Sequence, residues 1–105
     1  YGLINNYLYL NGKQMDIQLI RTYLEIISAG SFIEAADRVH VTQAAVSLRV
    51  KRLEEEIGQT LFTRSKKGIE LTQAGQQFER FARQMVKVWE EARYQIAVPS
   101  RYADM

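Results

Sequence analysis

The chain has 105 residues, 47% apolar and 25% charged, which suits one small globular domain with an attached element and excludes a disordered chain. Its net charge is only +2 and it has no cysteine, so disulfides and thiolate metal sites are excluded and nucleic-acid binding must be judged from where the charges lie. No apolar run approaches the roughly 20 residues of a membrane span, and no signal-peptide pattern opens the chain; a cytoplasmic protein is the expectation.

Residues 1–14 stand apart, with three Tyr and a single charge, Lys13. Met15 opens the first strongly patterned segment, so it is read as the native start and residues 1–14 as upstream or artificially appended. Asn11-Gly12 is a hairpin signal and Tyr7 to Leu10 favours strand, which keeps a genuine extension as the alternative.

Asp16 is a helix N-cap, followed at helical spacing by Ile17, Ile20, Tyr23, Leu24 and Ile27, with Gly30 as the stop. Ser31 caps a second, short helix, and Glu34 three residues on completes a capping box. Phe32, Ala35, Ala36 and Val39 form its apolar face. Thr42 caps a third helix that runs to about Ile57, where Gly58 ends it. Its buried stripe is Val46, Val50, Leu53 and Ile57.

The period then changes. Thr60 to Arg64 and Ile69 to Leu71 predict two short strands around the polar turn Ser65-Lys66-Lys67-Gly68, a basic hairpin. Thr72 caps a last helix from Gln73 to about Ala97, and Pro99 ends it. Its apolar positions Ala74, Phe78, Phe81, Met85, Val88, Ala92 and Ile96 approach a heptad seam. At 1.5 Å per residue this helix is about 37 Å long, more than so small a domain covers. A homodimer seam formed by Phe78, Phe81, Met85, Val88, Trp89, Ala92 and Ile96 is therefore expected.

A short helix, a tight turn at His40-Val41 and a second capped helix make a helix-turn-helix, with the small pair Ala35-Ala36 allowing close approach. Its second helix offers its first residues to the major groove of double-stranded DNA. Gln43 can bond adenine N6 and N7, Ser47 can bond base edges or phosphate, and Ala44 and Leu48 can touch thymine methyls. Between Thr42 and Lys67 lie six cations, Arg49, Lys51, Arg52, Arg64, Lys66 and Lys67, against three acids, Glu54 to Glu56. Arg49, Arg52, Arg64, Lys66 and Lys67 are the candidate contacts to the DNA backbone.

The blocks Thr42-Gln43-Ala44-Ala45-Val46-Ser47 and Leu53-Glu54-Glu55-Glu56-Ile57-Gly58 resemble the signature of LysR-type transcriptional regulators. Leu61-Phe62-Thr63-Arg64 and Leu71-Thr72-Gln73-Ala74-Gly75 resemble that family's wing and the start of its linker helix. The resemblance covers about Met15 to Ala97. It implies a mainly α winged helix-turn-helix over residues 15–71, three helices plus a two-stranded wing, and a linker and dimerisation helix over residues 72–98. Residues 99–105 would begin a hinge to an effector domain that this sequence does not include. It also implies that positions 43, 44, 47 and 48 face bases and that a wing residue near Lys67 enters the minor groove. A homodimer through the linker helix is implied, with room for a tetramer in a full-length protein. Many members carry Pro or Ser in place of Ala44 and Arg in place of Leu48; the second difference removes a guanine reader.

Plainer readings compete at several positions. Arg49, Lys51 and Arg52 could form a solvated face with Lys51–Glu55 and Arg52–Glu56 pairs. Lys66-Lys67 could be only a soluble turn. His40 stands alone without ligand partners and belongs to the turn. Adjacent helical positions point apart, so Glu54 to Glu56 cannot converge as a catalytic group. The rival function is a protein-interaction module that has lost DNA binding. An enzyme finds no phosphate-cradling loop, metal cluster or nucleophile–base pair here, and neither cofactor nor small-molecule ligand is expected.

Overall fold

The structure is a computed structural model that describes residues 16–97. The expectations for residues 1–14 and for the segment from Pro99 onward lie outside the described residues. Four helices and one hairpin follow in order: α1 (Ile17–Ala29), α2 (Phe32–Arg38), α3 (Gln43–Ile57), β1 (Phe62–Ser65), β2 (Gly68–Leu71) and α4 (Gln73–Ala97). This is a mainly helical winged helix-turn-helix. No described helix is long and apolar enough to cross a membrane.

The helix starts form as their caps dictate. Asp16, Ser31 and Thr42 each hold an extended backbone, and each side chain accepts an N–H two or three residues on, from Gln18, Glu34 and Ala45. Thr72 does the same for α4, its hydroxyl accepting from Gly75 N at 2.9 Å. These bonds satisfy donors that the first helical turn leaves free. Among the described hydrogen bonds, the Ser31 capping box closes in this one direction.

The turn after α2 has its own device. His40 sits at φ 59, its N–H bonding the Asp37 carbonyl at 3.3 Å while Val41 N–H bonds that of Ala36 at 3.0 Å. This paired pattern ends a helix through a left-handed residue, a place that glycine usually fills.

Helix α1 is the centre of the domain and packs against α2, α3 and α4. Its buried side is therefore wider than the predicted stripe. Ile20 and Tyr23 are buried as expected, but Leu19, Thr22 and Ile26 are buried too, while Ile17, Leu24 and Ile27 sit at the margins. On α3 the predicted Val46, Val50 and Leu53 are buried, with Ile57 at the edge.

Two clusters make the core, one around Tyr23, Leu53, Leu61 and Ala82, the other around Ile26, Ala35, Val46 and Val50. Phe62 packs on both. Its ring lies 5.3 Å from that of Tyr23 and 5.8 Å from that of Phe32, separations at which tilted aromatic pairs attract.

The hairpin is antiparallel, with Phe62 opposite Leu71 and Ser65 opposite Gly68, so Lys66-Lys67 forms its two-residue tip. The first strand begins two residues later than the predicted Thr60. Thr60 and Leu61 are taken up elsewhere: Leu61 is fully buried, and its N–H bonds Glu54 Oε2 at 2.7 Å. The Leu61 carbonyl accepts Thr72 N–H at 3.0 Å, and Thr60 O accepts the Thr72 hydroxyl at 2.7 Å.

Candidate nucleic-acid interface

Burial of Val46, Val50 and Leu53 turns the opposite side of α3 to solvent. Ala44, Lys51 and Arg52 are exposed there, while Gln43 and Ser47, on the flank beside Val46 and Val50, are exposed and half-buried respectively. Leu48, 49% exposed, stands on this same face, since residues four apart share a helix face. Thr42 fixes where α3 starts, so Gln43 occupies its first turn, the part of a reading helix that enters a groove.

The wing lies beside this face. Arg64, Lys66 and Lys67 are all exposed. The Arg64 guanidinium rests 5.1 Å from the Phe32 ring centroid, a cation–π contact that restrains its direction. A cleft of about 240 Å³ between the wing and the helix-turn-helix is lined by both Gln43 and Arg64. Two residues 21 positions apart by number thus meet at one opening.

The cations differ in how far they are neutralised. Arg21, Arg38, Arg83 and Arg93 pair with Glu90, Glu25, Glu79 and Glu90. Among the described ion pairs none involves Arg49, Lys51, Arg52, Arg64, Lys66 or Lys67. The Lys51–Glu55 and Arg52–Glu56 pairs of the plainer reading are absent among the described ion pairs. Six cations around α3 and the wing thus stand outside the described ion pairs, which leaves them available for phosphate contact.

Arg49 points differently from its neighbours. It is half-buried, and its Nη1 donates to Thr22 Oγ1 on α1 at 3.1 Å.

By spacing alone, Glu54 belongs to a solvated acidic run. It instead clamps the base of the wing, accepting from Leu61 N and, at 3.4 Å, from Phe62 N. Nothing in the spacing of Glu54 distinguishes it from Glu55 and Glu56, because its partners are supplied by a chain reversal.

The long helix has two faces. Ala82 is fully buried and Gly75 is buried against the domain. Phe78 turns the same way, its ring 5.3 Å from Tyr23, and also borders the apolar surface that follows. Phe81 and Val88 are 56% and 65% exposed. Together with Met85, Trp89 and Ala92 they line an open apolar groove of about 880 Å³ that Ile17 and Ile57 complete. Ile96 continues the exposed face toward the end of the helix. Among the described residues, no three His, Asp or Glu side chains gather as metal ligands.

The family described as "Bacterial regulatory helix-turn-helix protein, lysR family" matches residues 17–76. The chain belongs to the LysR family. The chain is 39% identical over 88 residues to the HTH-type transcriptional regulator HdfR of Shigella boydii, a match covering 84% of this chain and 32% of that protein. The chain thus spans about a third of the length of the curated relatives it matches. The fold is similar to the CbnR DBD–DNA complex, with TM-score 0.73 and 31% identity over 81% of this chain and all of the other. DarR of Vibrio fischeri, solved in complex with DNA, gives TM-score 0.76 and 34% identity over 80% of this chain and 29% of DarR. The LysR-type match spans helix-turn-helix and wing together, and it makes the chain a DNA-binding module of transcription regulation.

Proposed function

We propose that two copies of this chain, joined through α4, read inverted half-sites in double-stranded DNA and so form the sequence-reading end of a bacterial transcription regulator. The observation that carries this reading is the exposure of Gln43, Ala44 and Leu48 on α3 together with that of Arg52, Arg64, Lys66 and Lys67, cations outside the described ion pairs. Gln43, Ala44, Ser47 and Leu48 meet base edges in the major groove, which alone distinguishes all four base pairs. Arg49, Arg52, Arg64, Lys66 and Lys67 meet the backbone, which sets affinity and register.

Residues 15–71 are the reading domain and residues 72–98 the joining helix. The exposed apolar side of α4 supports the joining role, because a contiguous apolar surface of this kind marks an interaction site. The chain acts by binding and performs no chemistry of its own. Its place is with the chromosomal DNA in the cytoplasm.

Selection of bound sequences from a random duplex pool tests the proposal. The expected result is an enriched inverted repeat with half-site centres about 34 Å apart or a multiple of that. A pool left unenriched, with duplex bound no better than a neutral protein binds it, overturns the proposal in favour of a protein-interaction module.

A further inference from the structure

We infer that Thr22, on α1 and away from the reading surface, is a positioning residue that aims Arg49 at the DNA backbone while leaving its charge intact. The inference rests on the reading of Arg49 as a phosphate contact.

Thr22 is 1% exposed, the one buried polar residue amid the described core. Its hydroxyl proton is committed to the Gln18 carbonyl at 2.8 Å. With its proton so placed, Oγ1 offers a lone pair, and Arg49 Nη1 donates to it at 3.1 Å. The hydroxyl thus works as a fixed acceptor. One of the five guanidinium N–H donors is used, which leaves the others for an outside partner.

The choice of a neutral acceptor matters. Arg38 and Arg83 are held by Glu25 and Glu79, which fix those guanidinium groups but cancel their charge. Thr22 fixes Arg49 without cancelling it. Arg49 is a half-buried residue with no carboxylate within ion-pair distance among the described residues, whereas charge drawn out of water is normally paired. A phosphate oxygen would supply the missing counter-charge, and guanidinium geometry suits it. The bond also spans α1 and α3, so it restrains Arg49 against the helix that forms the centre of the domain.

The test is titration of a labelled mixed-sequence duplex with the full chain at several salt concentrations, below the unfolding temperature of every variant. Arg49→Ala should weaken binding and flatten the salt slope by about one unit. Thr22→Val, which keeps the shape and loses the acceptor, should weaken binding roughly threefold to tenfold, the scale of one hydrogen bond. Thr22→Ser should bind as the parent does. In the Arg49→Ala background, Thr22→Val should have no further effect. If Thr22→Val does not fold, Thr22→Ala carries the same comparison. An equal loss from the Thr22 substitution with and without Arg49 would show a merely structural role and overturn the inference. So would a Thr22→Val protein that binds like the parent while Arg49→Ala binds weakly; the phosphate reading would then survive alone. Parent-like affinity and slope in Arg49→Ala would overturn that reading and the inference with it.

Discussion

The Tyr23 hydroxyl donates a buried 2.6 Å hydrogen bond to the Gly75 carbonyl, joining α1 to the first turn of α4. Leu61 and Leu71 crowd the same glycine closely enough to exclude any side chain at position 75. A Cβ there would lie 2.3 Å from the Leu61 carbonyl oxygen and 2.9 Å from Leu71 Cδ2. Gly75→Ala is therefore expected to destabilise the domain by roughly 3 kcal/mol, since the nearest obstacle is backbone. Tyr23→Phe should cost about 1 kcal/mol for the missing bond. Urea unfolding of both variants measures these effects; a parent-like midpoint for Gly75→Ala would mean that α4 is free to shift.

Burial of the same hydroxyl predicts an alkaline effect. Burial first, and the Glu79 carboxylate second, raise the Tyr23 pKa above its ordinary value of 10.0. A phenol whose folded pKa is raised contributes its full stabilisation below the unfolded pKa and loses it as pH climbs above that value. Stability should thus hold up to about pH 10 and then fall. Tyr23→Phe should fall less steeply over that range, as read from unfolding midpoints between about pH 9 and pH 11.5.

Phe81 is 56% exposed on α4, so replacing it does not disturb the core of one copy. Phe81→Glu should leave the helical content unchanged and shift sedimentation from dimer to monomer, because it places a charge in an apolar seam. A parent chain that already sediments as a monomer at high micromolar concentration would remove α4 as the joining surface.

Lys66 and Lys67 form the tip of the wing, between the paired residues Ser65 and Gly68. Replacing both by Ala should weaken binding to every duplex alike and reduce the salt slope by about one unit for each phosphate no longer neutralised. An unchanged slope would place the wing off the backbone.

Gln43 stands in the first turn of α3. Gln43→Ala should weaken binding to a selected site by roughly 1–3 kcal/mol and relax selection at one position per half-site. Binding to scrambled duplex at the same salt should barely change. Equal weakening on both would make Gln43 a backbone-binding or structural residue.

The helix boundaries were legible in the sequence because the devices that set them are local. Asp16, Ser31, Thr42 and Thr72 each reach a backbone N–H two or three residues away, so residue type and spacing suffice. The solvent side of α3 was legible for a related reason: Val46, Val50 and Leu53 mark the buried side, and the helical period assigns Ala44, Leu48, Lys51 and Arg52 to the other; Gln43 and Ser47 share a flank with the buried residues, and the structure leaves the first exposed and the second half-buried. The turn at His40-Val41 was legible too, its bonds back to Asp37 and Ala36 being local, but not the left-handed backbone of His40, which no glycine announced. Tertiary structure alone decided what depends on partners distant along the chain. It delayed the first strand, because Leu61 is claimed by Glu54 and Thr72. It buried Leu19 and Ile26, because α1 is surrounded by three helices. It turned Phe78 toward Tyr23 while leaving Phe81 exposed, and it hung Arg49 on Thr22, 27 positions away. Periodicity says which residues share a face; which faces are covered, and by what, follows only when the chain folds back to supply the other side.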